Sequence, residues 1–182
     1  IEELSTPYER CRSINNVVLS DHDSKKLIYP IKEIIKKESP IHVDLLTKRL
    51  VRNSDVDRAG KKIQRTVQKA VTSLSVDGLV SNGSIDKRDD FIYLTKKNIE
   101  VRKREGEELN AEWIPKEEIE EAIRRILESQ IKVSQDDLID QTSRLLGFDR
   151  TGQSISSVIS EVIDDLLSSG ELEKENDRLR LK

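Results

Sequence analysis

At 182 residues and 20.9 kDa, the chain is long enough for one ordinary domain or two small ones. Charged residues make up 37% and aromatic residues 3%, yet 35% is hydrophobic and the net charge is only −3, so only half of the disorder signature is present. No apolar run approaches the roughly 20 residues of a bilayer span, no signal-peptide pattern opens the chain, and the single cysteine, Cys11, excludes an internal disulfide or a cysteine-built zinc site.

Residues 1–27 hold Pro7, Tyr8 and a Val17-Val18-Leu19 patch without a sustained helical period, which predicts a partly ordered lead-in on the unit that follows. Asp21-His22-Asp23 reads as a polar turn rather than a metal site, and Cys11 as a plain thiol. Ile28, Ile31, Ile34 and Ile35 then form an apolar stripe at spacing three and four, a first helix that Ser39-Pro40 ends. Ile41 and Val43 alternate like a very short strand, with His42 packed at the junction. Asp44 is placed to cap a second helix through Leu45, Leu46, Leu50 and Val51. After a polar turn at Asn53-Ser54-Asp55, a third helix carries Ile63, Val67, Ala70, Val71 and Leu74 inward, and Asp77-Gly78 stops it. Leu79-Val80 and Phe91-Ile92-Tyr93-Leu94 read as two strands around a polar loop, with Tyr93 facing outward. Residues 97–114 form a charged linker, including Arg102-Lys103-Arg104-Glu105, expected to be solvated, with Trp113 and Ile114 pinning the two units together.

The same order returns. Val56-Asp57-Arg58-Ala59-Gly60-Lys61-Lys62-Ile63 matches Phe148-Asp149-Arg150-Thr151-Gly152-Gln153-Ser154-Ile155 at an offset of 92, which also carries Ile31 onto Ile123, Ile41 onto Val133, Val71 onto Ile163 and Gly78 onto Gly170. In the second copy Ile119, Ile123, Ile126 and Leu127 make the first helix, and Val133 the short extended piece. Ser134 or Asp136 caps the second helix, and Ile155 to Leu167 forms the third. Leu172 and Leu179–Leu181 flank a Glu175-Asn176-Asp177 turn. Helix, short strand, helix, helix, hairpin is the order of a winged helix-turn-helix. The predicted fold is mainly α with small β-hairpins: a tandem winged helix-turn-helix duplication with units at 28–96 and 115–182. A generic three-helix bundle is disfavoured by the Phe91–Leu94 strand after a glycine stop.

Charge is divided between the copies, net +5 for residues 28–96 and −6 for residues 115–182. On the third helix, Lys61, Lys62, Arg65 and Lys69 face outward, where the second copy has Gln153, Ser154, Ser157 and Glu161. The first hairpin adds Lys87 and Arg88 beside Asp86, Asp89 and Asp90. Cations on a groove-sized helix suit phosphates, so Arg58, Lys61, Lys62, Arg65, Lys69, Lys87 and Arg88 are the candidate nucleic-acid-binding residues. A solvated charged face is the alternative. The motif shared by both copies reads as scaffold. Asp57 and Asp149 would cap the third helices, Gly60 and Gly152 would allow close packing, and Arg58 and Arg150 would tie the turn to a carboxylate, with a phosphate contact at this helix start as the other option.

Glu38-Ser39-Pro40-Ile41-His42 followed by Leu45-Leu46, then Arg58-x-Gly60-x-x-Ile63, resembles an uncharacterised domain family at the C-terminal end of large prokaryotic superfamily I helicase-like proteins. Leu145-Leu146-Gly147-Phe148-x-Arg150-x-Gly152 is similar to that family's second half. The resemblance implies a host with helicase motor motifs, often with a Vsr-like endonuclease domain upstream. This chain holds neither a phosphate-binding Gly-x-x-x-x-Gly-Lys-Ser/Thr sequence nor paired catalytic carboxylates.

The expected function is therefore a non-catalytic accessory region that binds DNA through the first unit, with no cofactor or metal and no membrane, and with the upstream domains of its own polypeptide as partners. The runner-up is a docking or dimerisation module, with a homodimer as its product. Cysteine usage fits a cytoplasmic setting, and a chain that opens on Ile1 and has no methionine reads as a piece of a longer protein.

Overall fold

In the computed structural model, which describes residues 2–77 and 83–182, the chain divides into two compact units. One comprises residues 9–98; the other combines residues 1–8 with 99–182. The protein is mainly α-helical with small, mostly antiparallel sheets. The expected strand at Leu79-Val80 and the stop at Gly78 lie outside the described residues.

The first piece of chain carries β1 (Thr6–Pro7), part of the second unit. The first unit contains α1 (Ile28–Glu38), β2 (Ile41–His42), α2 (Val43–Arg52), α3 (Lys61–Asp77), β3 (Ile85–Arg88) and β4 (Phe91–Leu94). Its core follows the expected stripes. Ile31, Ile34 and Ile35 of α1, Leu45, Leu46 and Leu50 of α2, and Ile63, Val67, Ala70, Val71 and Leu74 of α3 are buried. The sheet order is β2-β4-β3, all antiparallel, with Ile41 opposite Ile92 and Ile85 opposite Leu94. The partner of β4 is thus Ile85–Arg88, which lay inside the expected polar loop.

Three local expectations change. His42, not Asp44, is the N-cap of α2: its Nδ1 accepts the Asp44 amide at 3.1 Å, and Phe91 holds the imidazole edge-on at 5.1 Å. Tyr93 is buried rather than outward, because Arg88, diagonal to it on the same sheet face, lays its guanidinium over the ring at 4.3 Å. The lead-in divides between the units. Residues 9–27 belong to the first, where Ile14, Val17, Leu19 and Leu27 are buried and Val17 bridges to Ser54. Asp55 fastens this segment by accepting the Leu19 amide at 2.8 Å and the Ser20 hydroxyl. The Ser20 hydroxyl first, then the Leu19 amide, hold its carboxyl below the ordinary range.

The second unit adds β5 (Arg102–Lys103), α4 (Lys116–Gln130), β6 (Val133–Ser134), α5 (Gln135–Leu145), α6 (Gln153–Ser169), β7 (Leu172–Glu175) and β8 (Arg178–Leu181). Ser134 caps α5 by accepting the Asp137 amide, and Gly170, left-handed at φ 78°, ends α6. The sheet order is β6-β8-β7, with Val133 opposite Leu179, the same arrangement as in the first unit. Glu38 and Arg49 form a buried bidentate ion pair at 3.0–3.1 Å, whereas at the same offset Gln130 and Gln141 exchange amide hydrogen bonds at 2.6 and 3.3 Å.

The charged linker expected at 97–114 is not a solvated connector: from residue 99 it is part of the second unit. Val101, Ala111 and Ile114 join the second unit's core, and β5 pairs in parallel with β1. Arg102 and Arg104 are buried on Glu118 of α4. Glu118 Oε1 accepts the Arg102 amide at 2.8 Å and Arg104 Nη1 at 2.7 Å; Oε2 accepts Nη2 of Arg102 at 2.8 Å and of Arg104 at 2.7 Å. Tyr8 stacks against both guanidiniums, at 4.9 and 5.1 Å.

Gly147, after α5, meets this segment at its backbone. It sits at φ 108°, and a Cβ there would lie 2.2 Å from the Arg104 carbonyl oxygen. Gly147→Ala should destabilise the second unit by roughly 1–3 kcal/mol or more in urea unfolding; an unchanged midpoint would show that the segment shifts freely. The motif glycines behave differently: a Cβ at Gly60 or Gly152 meets nothing within 4 Å, so neither provides the expected close packing. In α5, the Thr142 and Ser143 hydroxyls are buried without a hydrogen-bond partner among the described residues. The first unit has Leu50 and Val51 at the corresponding positions. Thr142→Val should therefore raise the unfolding free energy, by about 1 kcal/mol; a loss of stability would mean that the hydroxyl is satisfied in solution.

Candidate nucleic-acid interface

The helix α3 has two sharply different faces. Ile63, Val67, Ala70, Val71 and Leu74 face the core, and Lys61, Lys62, Arg65 and Lys69 are all exposed on the other side. At 3.6 residues per turn these four fall within one stripe about 12 Å long. None has an ion-pair partner among the described residues. Arg58, just before the helix, is likewise exposed and unpaired among the described residues.

The placement works against the helix itself. The positive end of a helix dipole disfavours cations in the first turn by roughly 0.3–1 kcal/mol each. Three helices place acids there: Asp44 in α2, Glu117 and Glu118 beside Lys116 in α4, and Asp136 and Asp137 in α5. The first turn of α3 has no acid and begins Lys61-Lys62. Helix stability therefore does not favour Lys61 and Lys62 at these positions.

Arg88 donates to Asp86 at 2.9 Å and covers Tyr93, so its guanidinium is engaged within the sheet. Lys87 is exposed, with acidic Asp86, Asp89 and Asp90 around it. In the second unit the corresponding helix α6 exposes Gln153, Ser154, Ser157, Glu161 and Asp164.

The shared Asp-Arg-x-Gly motif makes none of the expected scaffold contacts. The third helices begin at Lys61 and Gln153, too far along for Asp57 or Asp149 to cap, and Gly152 is the N-cap of α6. Arg150, like Arg58, is exposed and has no carboxylate partner among the described residues. Asp21-His22-Asp23 is a turn in which Asp23 caps the 3-10 helix Ser24–Leu27 by accepting the Lys25 amide at 3.0 Å. The Cys11 thiol is buried, 3.4 Å from the Ser13 hydroxyl. No helix among the described residues is long and apolar enough to cross a membrane.

Residues 19–65 match a family model described as a protein of unknown function (DUF3320). The match runs from Leu19 through α1, β2 and α2 to Arg65, well under half of the chain. It includes Arg58, Lys61, Lys62 and Arg65 but stops before Lys69 and the hairpin. No curated protein and no solved structure matches the chain.

The sequence missed two features. Glu118 occupies an apolar-stripe position of α4, four residues before Ala122 and eight before Ile126, a signal that its charge is paired inside. Tyr29 is the second: it stays 67% exposed beside the buried face of α1.

Proposed function

We propose that the chain is a non-catalytic DNA-binding accessory region built from two winged helix-turn-helix units, and that the first unit engages DNA through α3. The observation that carries this reading is the unpaired stripe of Lys61, Lys62, Arg65 and Lys69, with Arg58 at its approach, whose first two lysines sit where the helix dipole disfavours cations. Helix, short strand, helix, helix and hairpin is a winged order, in which the third helix can enter a major groove. Lys87 supplies the hairpin's free charge, and Arg88 serves mainly the sheet. The host would be a helicase- or nuclease-like DNA-processing polypeptide in the cytoplasm, an extension of the family resemblance. The test is a fluorescence anisotropy titration of labelled duplex DNA at low salt. Absence of saturable binding at micromolar protein would sink the reading.

A second reading is favoured by the acidic exposed face of α6, with Glu161 and Asp164: the second unit docks protein rather than DNA. Light scattering after size exclusion, and capture with the upstream domains, distinguish the two.

A further inference from the structure

The chain has six aromatic residues, and five are occupied by the fold. Tyr8 lies under Arg102 and Arg104, Phe91 against His42, and Tyr93 beneath Arg88. Trp113 is buried, and Phe148 packs on the second unit's core. Tyr29 alone presents its ring to solvent, and it makes no hydrogen bond or ring contact among the described residues.

Its surroundings are specific. Tyr29 borders a recess of about 340 Å³ with Asn15, Asn16, Val18, Lys26 and Pro30. Val18, also exposed, adds an apolar side chain to the recess. Asn16 Nδ2 donates to Asn15 Oδ1 at 3.3 Å, which leaves Asn15 Nδ2 and Asn16 Oδ1 without a hydrogen-bond partner among the described residues, a neighbouring donor and acceptor. Two cations are near along the chain: Lys32 lies three positions on in α1, on the same helical face, and Lys25 four positions back in the 3-10 turn that enters α1. Neither has an ion-pair partner among the described residues, whereas Lys26 is held by Asp21.

An exposed aromatic ring, nearby cations and a donor–acceptor pair are the components of a site for a base lifted out of its stack. We propose that the recess beside Tyr29 accepts an unstacked nucleobase of a DNA strand: Tyr29 stacks on the base, Asn15 and Asn16 meet its edge, and Lys25 and Lys32 meet the adjacent phosphates. This rests on the reading of the first unit as DNA-binding, but it uses different residues from α3. It adds base stacking on single-stranded or frayed DNA, which the phosphate contacts of the α3 stripe do not supply.

The experiment measures the binding of a labelled mixed-sequence single strand, and of the blunt duplex of the same sequence, to the full chain by anisotropy. The proteins are wild type, Tyr29→Ala, Tyr29→Phe and the α3 variant Lys61→Glu/Arg65→Glu. Tyr29→Ala should weaken single-strand binding roughly tenfold or more and change duplex binding less than about twofold, while Tyr29→Phe retains wild-type single-strand affinity because the ring remains. Tyr29 is exposed, so these variants keep the fold, which circular dichroism verifies. If wild type binds no single strand, or if Tyr29→Ala leaves that affinity unchanged or lowers both affinities equally, the site is overturned. Loss of duplex binding in the α3 variant with the Tyr29 effect intact supports both assignments. A wild type that binds single strands through Tyr29 but binds no duplex retains the site and overturns the α3 reading.

Discussion

Reversing two charges on α3, Lys61→Glu with Arg65→Glu, should weaken duplex DNA binding by at least about tenfold at low salt and flatten its salt dependence. Four cations on phosphates predict a slope of log K against log salt near −3.6, which falls by about 1.8 when two contacts are lost, before any added repulsion. Affinity alone is an incomplete test, because any change of four charge units alters long-range attraction. The decisive control is Arg150→Glu with Arg178→Glu, which makes the same change of net charge on two exposed residues of the second unit. That variant should bind within about twofold of wild type at physiological salt, where the Debye length is about 8 Å. Equal losses in both variants would assign the effect to net charge and remove α3 as the interface. All four substituted residues are exposed, so none should shift the unfolding midpoint appreciably.

The α3 surface was legible because a helix seventeen residues long leaves no freedom in which face turns inward. Once Ile63, Val67, Val71 and Leu74 are inside, Lys61, Arg65 and Lys69 must be outside. The same holds for α1, α2, α4 and α6, whose stripes each fix one core face. Short strands carry no such constraint. Two residues at Ile41–His42 and four at Ile85–Arg88 are too few for alternation to set a register, and the mixed run Ile-Asp-Lys-Arg looked like loop until β4 paired with it. Tyr93 was misplaced for a related reason. Alternation gives the face of the sheet, but Arg88 folding over that face decides whether the face is wet. The charged stretch around Arg102 and Arg104 failed most plainly. Composition predicts solvation for isolated charges, and it cannot see a partner carboxylate fourteen to sixteen residues later. The clue lay instead in α4 and α1, where Glu118 and Glu38 interrupt apolar stripes.

That buried cluster yields the largest stability effect expected of a single substitution. Burial pushes the Glu118 carboxyl upward, and the guanidiniums of Arg104 and Arg102 overcome this and hold it below its ordinary value of 4.5. A group depressed in the folded state contributes stability that is present above its unfolded value and lost as pH falls through its folded value. The second unit should therefore lose stability progressively below about pH 4.5, the unfolded value. Glu118→Gln keeps the shape and removes the charge, leaving two buried guanidiniums around a neutral amide that can accept through only one oxygen. The expected cost is roughly 3–5 kcal/mol at neutral pH, a fall of about 10 °C or more in Tm for a unit of this size. The variant should also lack the wild type's loss of stability on acidification from this group. Trp113, the chain's single tryptophan, belongs to this unit, so its fluorescence follows this unfolding rather than that of residues 9–98. Replacing all three charges together, with Glu118→Leu, Arg102→Leu and Arg104→Met, should restore much of the loss, because no uncompensated charge then stays inside. If Glu118→Gln matches wild type in urea from pH 3 to pH 7, the cluster is hydrated in solution and does not hold the segment before α4 in place.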